Sequence, residues 1–309
     1  MERLTLAGGV PEHLKGSIVA LGNFDGFHLG HQAVVSRAVA RAFHERRPVI
    51  VATFDPHPVR FFKPDVPPFK LTTLDQRQEL FAHAGADAML VFEFGQDLAS
   101  MDAEAFVAEV LGERIGAAGV ITGDDFSFGK GRRGDASLLA DVGAQHGIGA
   151  EAVAQVELDG ERISSGRIRE ALISGDIGTA TRMLSRDYAI EGAVQRGDAR
   201  GRELGYPTAN LELGDYQRPK YGIYAVRVRL DDGNEYPGVA SLGTRPTFDP
   251  PRELLEAHLF NFEGDLYGRT IEVSLHAYIR EEKRFEGLEP LIAHMREDEA
   301  TARHLLALD

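Results

Sequence analysis

His28 and His31, with Leu29 and Gly30 between them, stand at a junction of two kinds of sequence. Before them Ile18 to Leu21 is a short apolar run with the branching of a buried strand, and Gly22-Asn23-Phe24-Asp25-Gly26 is a cluster of turn formers. After them a helical spacing begins. A helix start presents unpaired backbone N–H groups and the positive end of the macrodipole, which together attract phosphate. Glycines let a polyphosphate come close to the backbone. Two imidazoles can donate hydrogen bonds to phosphoryl oxygens as charge builds there. This is the chemistry of a triphosphate site that acts by positioning and charge stabilisation, without a protein nucleophile. Helix capping explains an isolated His-x-Gly-His about as well. The strand-like run before it and the helix after it favour the phosphate site.

Other stretches carry compatible chemistry. Ile163-Ser164-Ser165-Gly166-Arg167-Ile168-Arg169 opens a second helix, with Ser164 or Ser165 as N-cap. Arg167 and Arg169 then fall near the cap, against the macrodipole, a placement that points to an anion. Gly197 to Asn210 is a glycine-rich loop with backbone donors for phosphate, in which Thr208 and Asn210 offer neutral oxygens suited to magnesium. Glu256 lies opposite the apolar face of Leu255, Ala257 and Leu259, as a general base or as an ordinary solvated glutamate. Gly123 to Gly134 imitates two nucleotide motifs. It has one residue too many for a P-loop and Gly131 where Ser or Thr must hold magnesium. Its GxGxxG from Gly129 lies too far past the strand end for a dinucleotide turn. It reads more simply as a glycine-hinged loop with two phenylalanines and three cations, suited to a flat aromatic ligand bearing phosphate, or as a mobile surface loop.

The elements that must position these residues are legible as two patterns. His31 to Arg47, Leu74 to Ala84 and Asp102 to Leu111 read as helices, and Val49 to Phe54, Ala88 to Phe94 and Ala118 to Thr122 as strands. Strand–helix alternation implies a parallel sheet covered on both faces, with ligands at the carboxyl ends of the strands. The His-x-Gly-His, Asp55-Pro56-His57-Pro58 and Gly123-Asp124-Asp125-Phe126 segments each follow a strand and should converge on one crevice. From Ile190 onward the pattern has period two: Tyr224, Val226, Val228 and Leu230 form one such face, and Ile271, Val273, Leu275, Ala277 and Ile279 another. Asp231 to Asn234 is a turn between strands, and the whole suggests a small antiparallel barrel with a helix from Leu288 to Leu306 outside it. The expected division is residues 1–185 and 186–309.

Composition narrows the class. The chain has 309 residues, 43% hydrophobic and 27% charged, enough for two packed domains. A net charge of −14 disfavours nucleic-acid and anionic-membrane partners but leaves room for a local phosphate pocket. Cysteine is absent, so no thiolate nucleophile or cysteine-held metal exists. The first residues do not read as a secretory leader, and no apolar run approaches the ~20 residues of a membrane span. Cytoplasm is the expected compartment, with self-association left open.

Taken together, these stretches resemble the bifunctional bacterial riboflavin kinase/FAD synthetase family over nearly the whole chain. In the first half the resemblance rests on Gly22 to His31, Thr53 to Pro58, Gly123 to Gly134 and Ile163 to Arg169. In the second it rests on Gly201 to Asn210, Tyr221 to Tyr224, Gly243 to Phe248 and Asp265 to Gly268. It implies a Rossmann-like α/β nucleotidyltransferase domain, then a riboflavin kinase barrel. The second module would phosphorylate riboflavin with ATP and Mg2+ to give FMN, and the first would transfer AMP from ATP to FMN, giving FAD and pyrophosphate. Carried over, Gly22, Asn23, Phe24, Asp25, His28, Gly30, His31, Ser164, Ser165 and Arg169 serve the ATP of the first reaction. Asp125, Phe126 and Phe128 lie on its flavin side. Gly201, Gly205, Pro207 and Thr208 line the second nucleotide, Thr208 and Asn210 hold magnesium, Arg245 contacts flavin and Glu256 is the base.

The chain departs from the family pattern in two places. Gly166 replaces the usual Thr after the paired serines, which makes adenylyl transfer the less secure activity. Ala240-Ser241-Leu242-Gly243 replaces Ala-Asn-Ile-Gly, with little effect expected because Ser241 still hydrogen-bonds. Competing readings keep only the kinase, or treat the barrel as a flavin-binding module on a nucleotidyltransferase of other acceptor. A nicotinamide-dependent oxidoreductase rests only on the misplaced GxGxxG.

Overall fold

The computed structural model describes residues 1–196, 205–245, 252–283 and 285–308, with Arg245 described in its backbone only. By contacts the chain divides into two units. One comprises Met1–Pro67 and Leu74–Ser164, the other Pro68–Thr73 and Ser165–Asp309.

The first unit is built on β1 (Glu2–Thr5), β2 (Ile18–Leu21), β3 (Val49–Asp55), β4 (Ala88–Glu93), β5 (Gly119–Gly123) and β6 (Gly149–Val153). Their order in the sheet is β1-β4-β3-β2-β5-β6, and every neighbouring pair is parallel. Burial on both faces explains why β2, β3, β4 and β5 read as apolar runs rather than alternations, while the edge strands β1 and β6 are partly exposed. Ile18 and Ala20 face α1 (Leu29–Glu45) through Val34, Val35, Ala38 and Ala42. Val19 and Leu21 face the opposite core, which is packed by Phe106, Val107, Val110 and Leu111. The segment expected as one helix from Asp102 begins as a single turn, Ala103–Ala105, and widens into a π-helix over Phe106–Ile115; together they are α5. Short helices α2 (Pro58–Phe62) and α4 (Gln96–Ser100), with α3 (Leu74–His83) and α6 (Ala136–Gln145), fill the connections. A small hairpin, β7 (Glu157–Leu158) and β8 (Glu161–Arg162), closes this unit.

From β2 the chain steps to β3 and β4 on one side, then crosses to β5 and β6 on the other. The reversal falls between β2 and β5, where a doubly wound sheet opens a crevice beyond its strand ends. The segments after β2, β3 and β5 leave adjacent strands at this edge, as their sequence positions imply.

The second unit contains α7 (Ser165–Ser174), α8 (Ile177–Leu184), β9 (Tyr188–Ala193), β10 (Ala209–Glu212), β11 (Gly222–Leu230), β12 (Glu235–Arg245), β13 (Arg252–Leu259), β14 (Thr270–Arg280) and α9 (Leu288–Leu305). Its antiparallel sheet runs β10-β13-β12-β11-β14-β9. A bridge between Gln195 and Asn210, the Gln195 N–H donating to the Asn210 carbonyl at 2.8 Å, brings the two end strands together and nearly closes a barrel. Tyr224, Val226, Val228, Leu230, Leu242, Leu255 and Ala257 line its interior, and α9 covers Ala225 and Phe260 from outside with Ala302 and Leu306. The alternation expected along β14 changes face partway. Ala225 pairs with Ala277 but Val226 pairs with Leu275, so His276 is an extra residue. This bulge leaves Ile271, Val273 and Leu275 in the barrel and turns Ala277 and Ile279 toward α9. α8 packs on β14 and β9, which groups α7 and α8 with the barrel by contact.

Candidate functional site

In the first unit the turn after β2 is tightly wound. Phe24, Gly26 and Phe27 all have positive φ, at 50°, 84° and 42°, a conformation that non-glycine residues hold only when their surroundings fix them. Burial supplies that fixing, since Phe24 and Phe27 pack edge-on against Phe81. The turn delivers His28 as N-cap of α1, its Nδ1 accepting from the His31 backbone N–H at 3.3 Å. The two imidazoles stack, with centroids 3.6 Å apart, and Phe24 meets the His31 ring edge-on at 5.3 Å. Capping and a phosphate site are therefore not alternatives here. The cap is the device that holds the pair of rings over the helix start.

Beneath this turn lies a residue that no motif announced. Arg77 of α3 is 3% exposed. It donates to Thr53 Oγ1 at 3.0 Å and to the Asn23 carbonyl at 3.3 Å, and it lies 4.0 Å from Asp55. Burial pushes its guanidinium below the ordinary range, while Asp25 and Asp55 pull it back up. Among the described residues the side-chain oxygens of Asn23 and Thr122 are buried without a hydrogen-bond partner. Such groups require an explanation, and both stand at the ends of strands beside the crevice.

The loop after β5 is closed, not open. Phe128 and Gly134 exchange backbone hydrogen bonds of 3.0 and 2.9 Å. Phe128 is buried against Phe106, and Phe126 stacks on Phe128 at 5.9 Å. A Cβ on Gly129 or Gly134 would stand 2.7–2.8 Å from Ala103 or the Phe128 ring. Gly129 and Gly134 of the GxGxxG pattern thus serve close packing, while Gly131 supplies a positive φ of 66° in open space, which together account for the misleading motif. Asp125 is exposed and pairs with Arg162 of β8. Ser164 ends the first unit. Ser165, Gly166 and Arg169 belong to the second, where Arg169 donates to the Phe69 carbonyl at 2.8 Å and lies over its ring.

On the barrel the register assembles a row. Glu256 of β13 is directly opposite Asn210 on β10 and opposite Ser241 on β12. Directly opposed side chains on one face are in reach of one another, and all three point away from the buried Leu255 and Ala257. Asn210 is 6% exposed and its amide nitrogen donates to the Thr208 carbonyl at 3.3 Å, which ties its side chain to the loop end. His258, two residues beyond Glu256, holds the Pro207 carbonyl at 2.9 Å and stands beside the Tyr206 ring. That fixes the end of the loop that carries Thr208. Ser241 donates to Glu282 at 2.8 Å, and the Glu282 carboxylate occupies the space left by Gly243. Gly201, most of the loop before Gly205, and the side chain of Arg245 lie outside the described residues. Among the described residues no cluster of three or more His, Asp or Glu could hold a metal. Thr208 and Asn210 instead form a neutral oxygen set of the kind that fits a magnesium ion arriving with phosphate.

A doubly wound sheet with a histidine-headed helix at its switch point, joined to an antiparallel barrel, defines a class of two-module ATP-dependent transferases. Comparison with known proteins narrows the class. Residues 10–167 match the family model for FAD synthetase and residues 184–306 that for riboflavin kinase. A bifunctional riboflavin kinase/FMN adenylyltransferase of Pseudomonas fluorescens is 41% identical over 96% of this chain and 95% of its own length. One of Escherichia coli K12 is 38% identical over 95% and 94%. The chain belongs to the bifunctional riboflavin kinase/FMN adenylyltransferase family. A crystal structure described as a macrolide-efflux protein from Streptococcus pneumoniae shares the fold, with a TM-score of 0.88 and 29% identity over 98% of this chain and 99% of that one. No helix among the described residues is long and apolar enough to cross a membrane.

Proposed function

We propose that this chain makes FAD from riboflavin in two ATP-dependent steps, with the functional division at residues 185 and 186 and the reactions taking place in the cytoplasm. In the kinase step the 5′-hydroxyl of riboflavin attacks the γ-phosphorus of ATP. The O–P bond forms as the bond to ADP breaks, and Glu256 takes the hydroxyl proton. Thr208 and Asn210 would hold magnesium, which when bound with ATP neutralises charge on the β- and γ-phosphates. Gly201, Gly205 and Pro207 shape the loop over the nucleotide, and Arg245 contacts the flavin.

In the adenylyl step a phosphate oxygen of FMN attacks the α-phosphorus of a second ATP and pyrophosphate leaves. His28 and His31 donate to the triphosphate at the start of α1, with Gly22, Asn23, Phe24, Asp25 and Gly30 shaping the turn. Ser164, Ser165 and Arg169 assist, and Asp125, Phe126 and Phe128 lie toward the flavin. Stabilising charge that develops on leaving pyrophosphate needs donors fixed in advance, and a capped, stacked histidine pair is such a set.

The observation that carries this reading is the row Asn210, Glu256, Ser241 across three strands. A carboxylate opposite a neutral carboxamide supports the reading, because transfer from ATP to a hydroxyl brings a base and a metal-bound phosphate together. The test is a time course with riboflavin, ATP and magnesium, flavins separated by chromatography, for the parent and Glu256→Gln. The parent should give FMN and then FAD. Glu256→Gln should form FMN about a hundredfold or more slowly, still bind riboflavin, and still convert supplied FMN to FAD. Unchanged FMN formation removes Glu256 as base. FMN that accumulates in the parent without FAD would favour a kinase with a silent first module and turn attention to Gly166.

A further inference from the structure

Arg77 is a cation enclosed by an edge that must receive an anion. Two carboxylates act on it: Asp55, at the end of β3, comes within 4.0 Å, and Asp25, in the turn after β2 and 3% exposed, holds its charge electrostatically. A buried arginine held as a structural strut needs one partner and hydrogen bonds for its fork. Here one nitrogen of the fork, Nη1, donates both to Thr53 and to the Asn23 carbonyl, to which Thr53 also donates at 2.7 Å, while Nη2 is the atom nearest Asp55. The cation therefore grips the turn by its backbone while its charge answers two aspartates. Both aspartates stand at the strand ends where a triphosphate would approach, and two uncompensated carboxylates there would repel it.

We propose that Arg77 is a positioning residue for adenylyl transfer, which fixes the turn leading to His28 and His31 through Asn23 and neutralises Asp25 and Asp55 so that the triphosphate of ATP can enter. The inference rests on the reading that this turn receives the triphosphate. It makes the charge on Arg77, not only its packing, part of ATP recognition, and it assigns no role to Arg77 in the kinase step.

The experiment uses the full chain with Arg77→Met, Arg77→Lys and His31→Asn, measuring KM for ATP and for FMN in FAD formation, and riboflavin kinase turnover on the same preparations. Arg77→Met should raise KM for ATP at least tenfold, about 1.4 kcal/mol, leave KM for FMN within twofold and leave the kinase within twofold. Arg77→Lys, which keeps the charge, should return KM for ATP to within threefold of the parent. A KM for ATP unchanged in Arg77→Met overturns the proposal, and so does an equal loss of affinity for ATP and FMN, the mark of a strut. Should Arg77→Met not fold, Arg77→Lys decides alone: a tenfold rise in KM for ATP in a kinase-active protein overturns it. His31→Asn separates the two levels. If His31→Asn leaves adenylyl transfer untouched, the placement of the triphosphate fails and the Arg77 proposal with it. If His31→Asn is impaired while Arg77→Met is not, only the role of Arg77 falls.

Discussion

Gly30 seats the imidazole of His28 by having no side chain. A Cβ at Gly30 would stand 3.1 Å from Cε1 and 3.2 Å from Nδ1 of that ring, tighter than ordinary contact. Its φ is not in the left-handed region, so the demand is for space and not for backbone freedom. Gly30→Ala is therefore expected to push the ring off its stack on His31 while leaving α1 intact. FAD formation from FMN should fall by roughly tenfold to a hundredfold, the scale of a small misplacement at a reacting centre, with kinase turnover unchanged. Loss of both activities together would mean that the turn, not the ring, had been disturbed.

At the scale of elements, helix ends make contributions to stability that can be tested one at a time. Asp176 caps α8, accepting from the Thr179 N–H at 3.0 Å, and that bond holds its carboxyl below the usual value of 3.8. A lowered carboxylate pKa stabilises the fold above the ordinary value and loses that contribution as pH falls through the folded one. Asp176→Ala should cost about 1 kcal/mol at neutral pH, and the gap from the parent in thermal unfolding should close in acid. A gap that persists in acid would assign the effect to packing. The apolar runs that made β2, β3, β4 and β5 readable are runs because both faces are covered, a demand that every residue of the strand feels. The reversal of face at His276 was not readable, because Ala277 and Ile279 stay apolar while the surface they meet changes from barrel interior to α9. Arg77 was invisible for the opposite reason. An arginine on a short helix reads as solvated, and what buries it comes from Asn23 and Thr53, distant in sequence. His28, His31, Asn210 and Glu256 stand out as candidates in the sequence because their types and spacing hardly depend on such distant partners.

For the molecule as a whole, two unrelated architectures each provide a backbone frame for the phosphate chemistry proposed above. In the first unit it is a strand end feeding a helix. In the second it is the seam of a barrel. Asn210 has two commitments at that seam: its carbonyl takes the Gln195 N–H that joins β9 to β10, and its side chain stands opposite Glu256. Whatever occupies the side-chain position is thus linked thermodynamically to closure of the sheet. A ligand at a hundredfold excess over its dissociation constant adds about 2.7 kcal/mol to the state that binds it. If opening of the seam releases the nucleotide, the Gln195 amide should exchange its hydrogen for deuterium about a hundredfold more slowly with magnesium and ADP bound, while amides in the middle of β11 hold their rates. Equal protection of both would show that the barrel opens only as one piece. Protection confined to Gln195 would mean that in this kinase the substrate fastens the barrel in which it reacts.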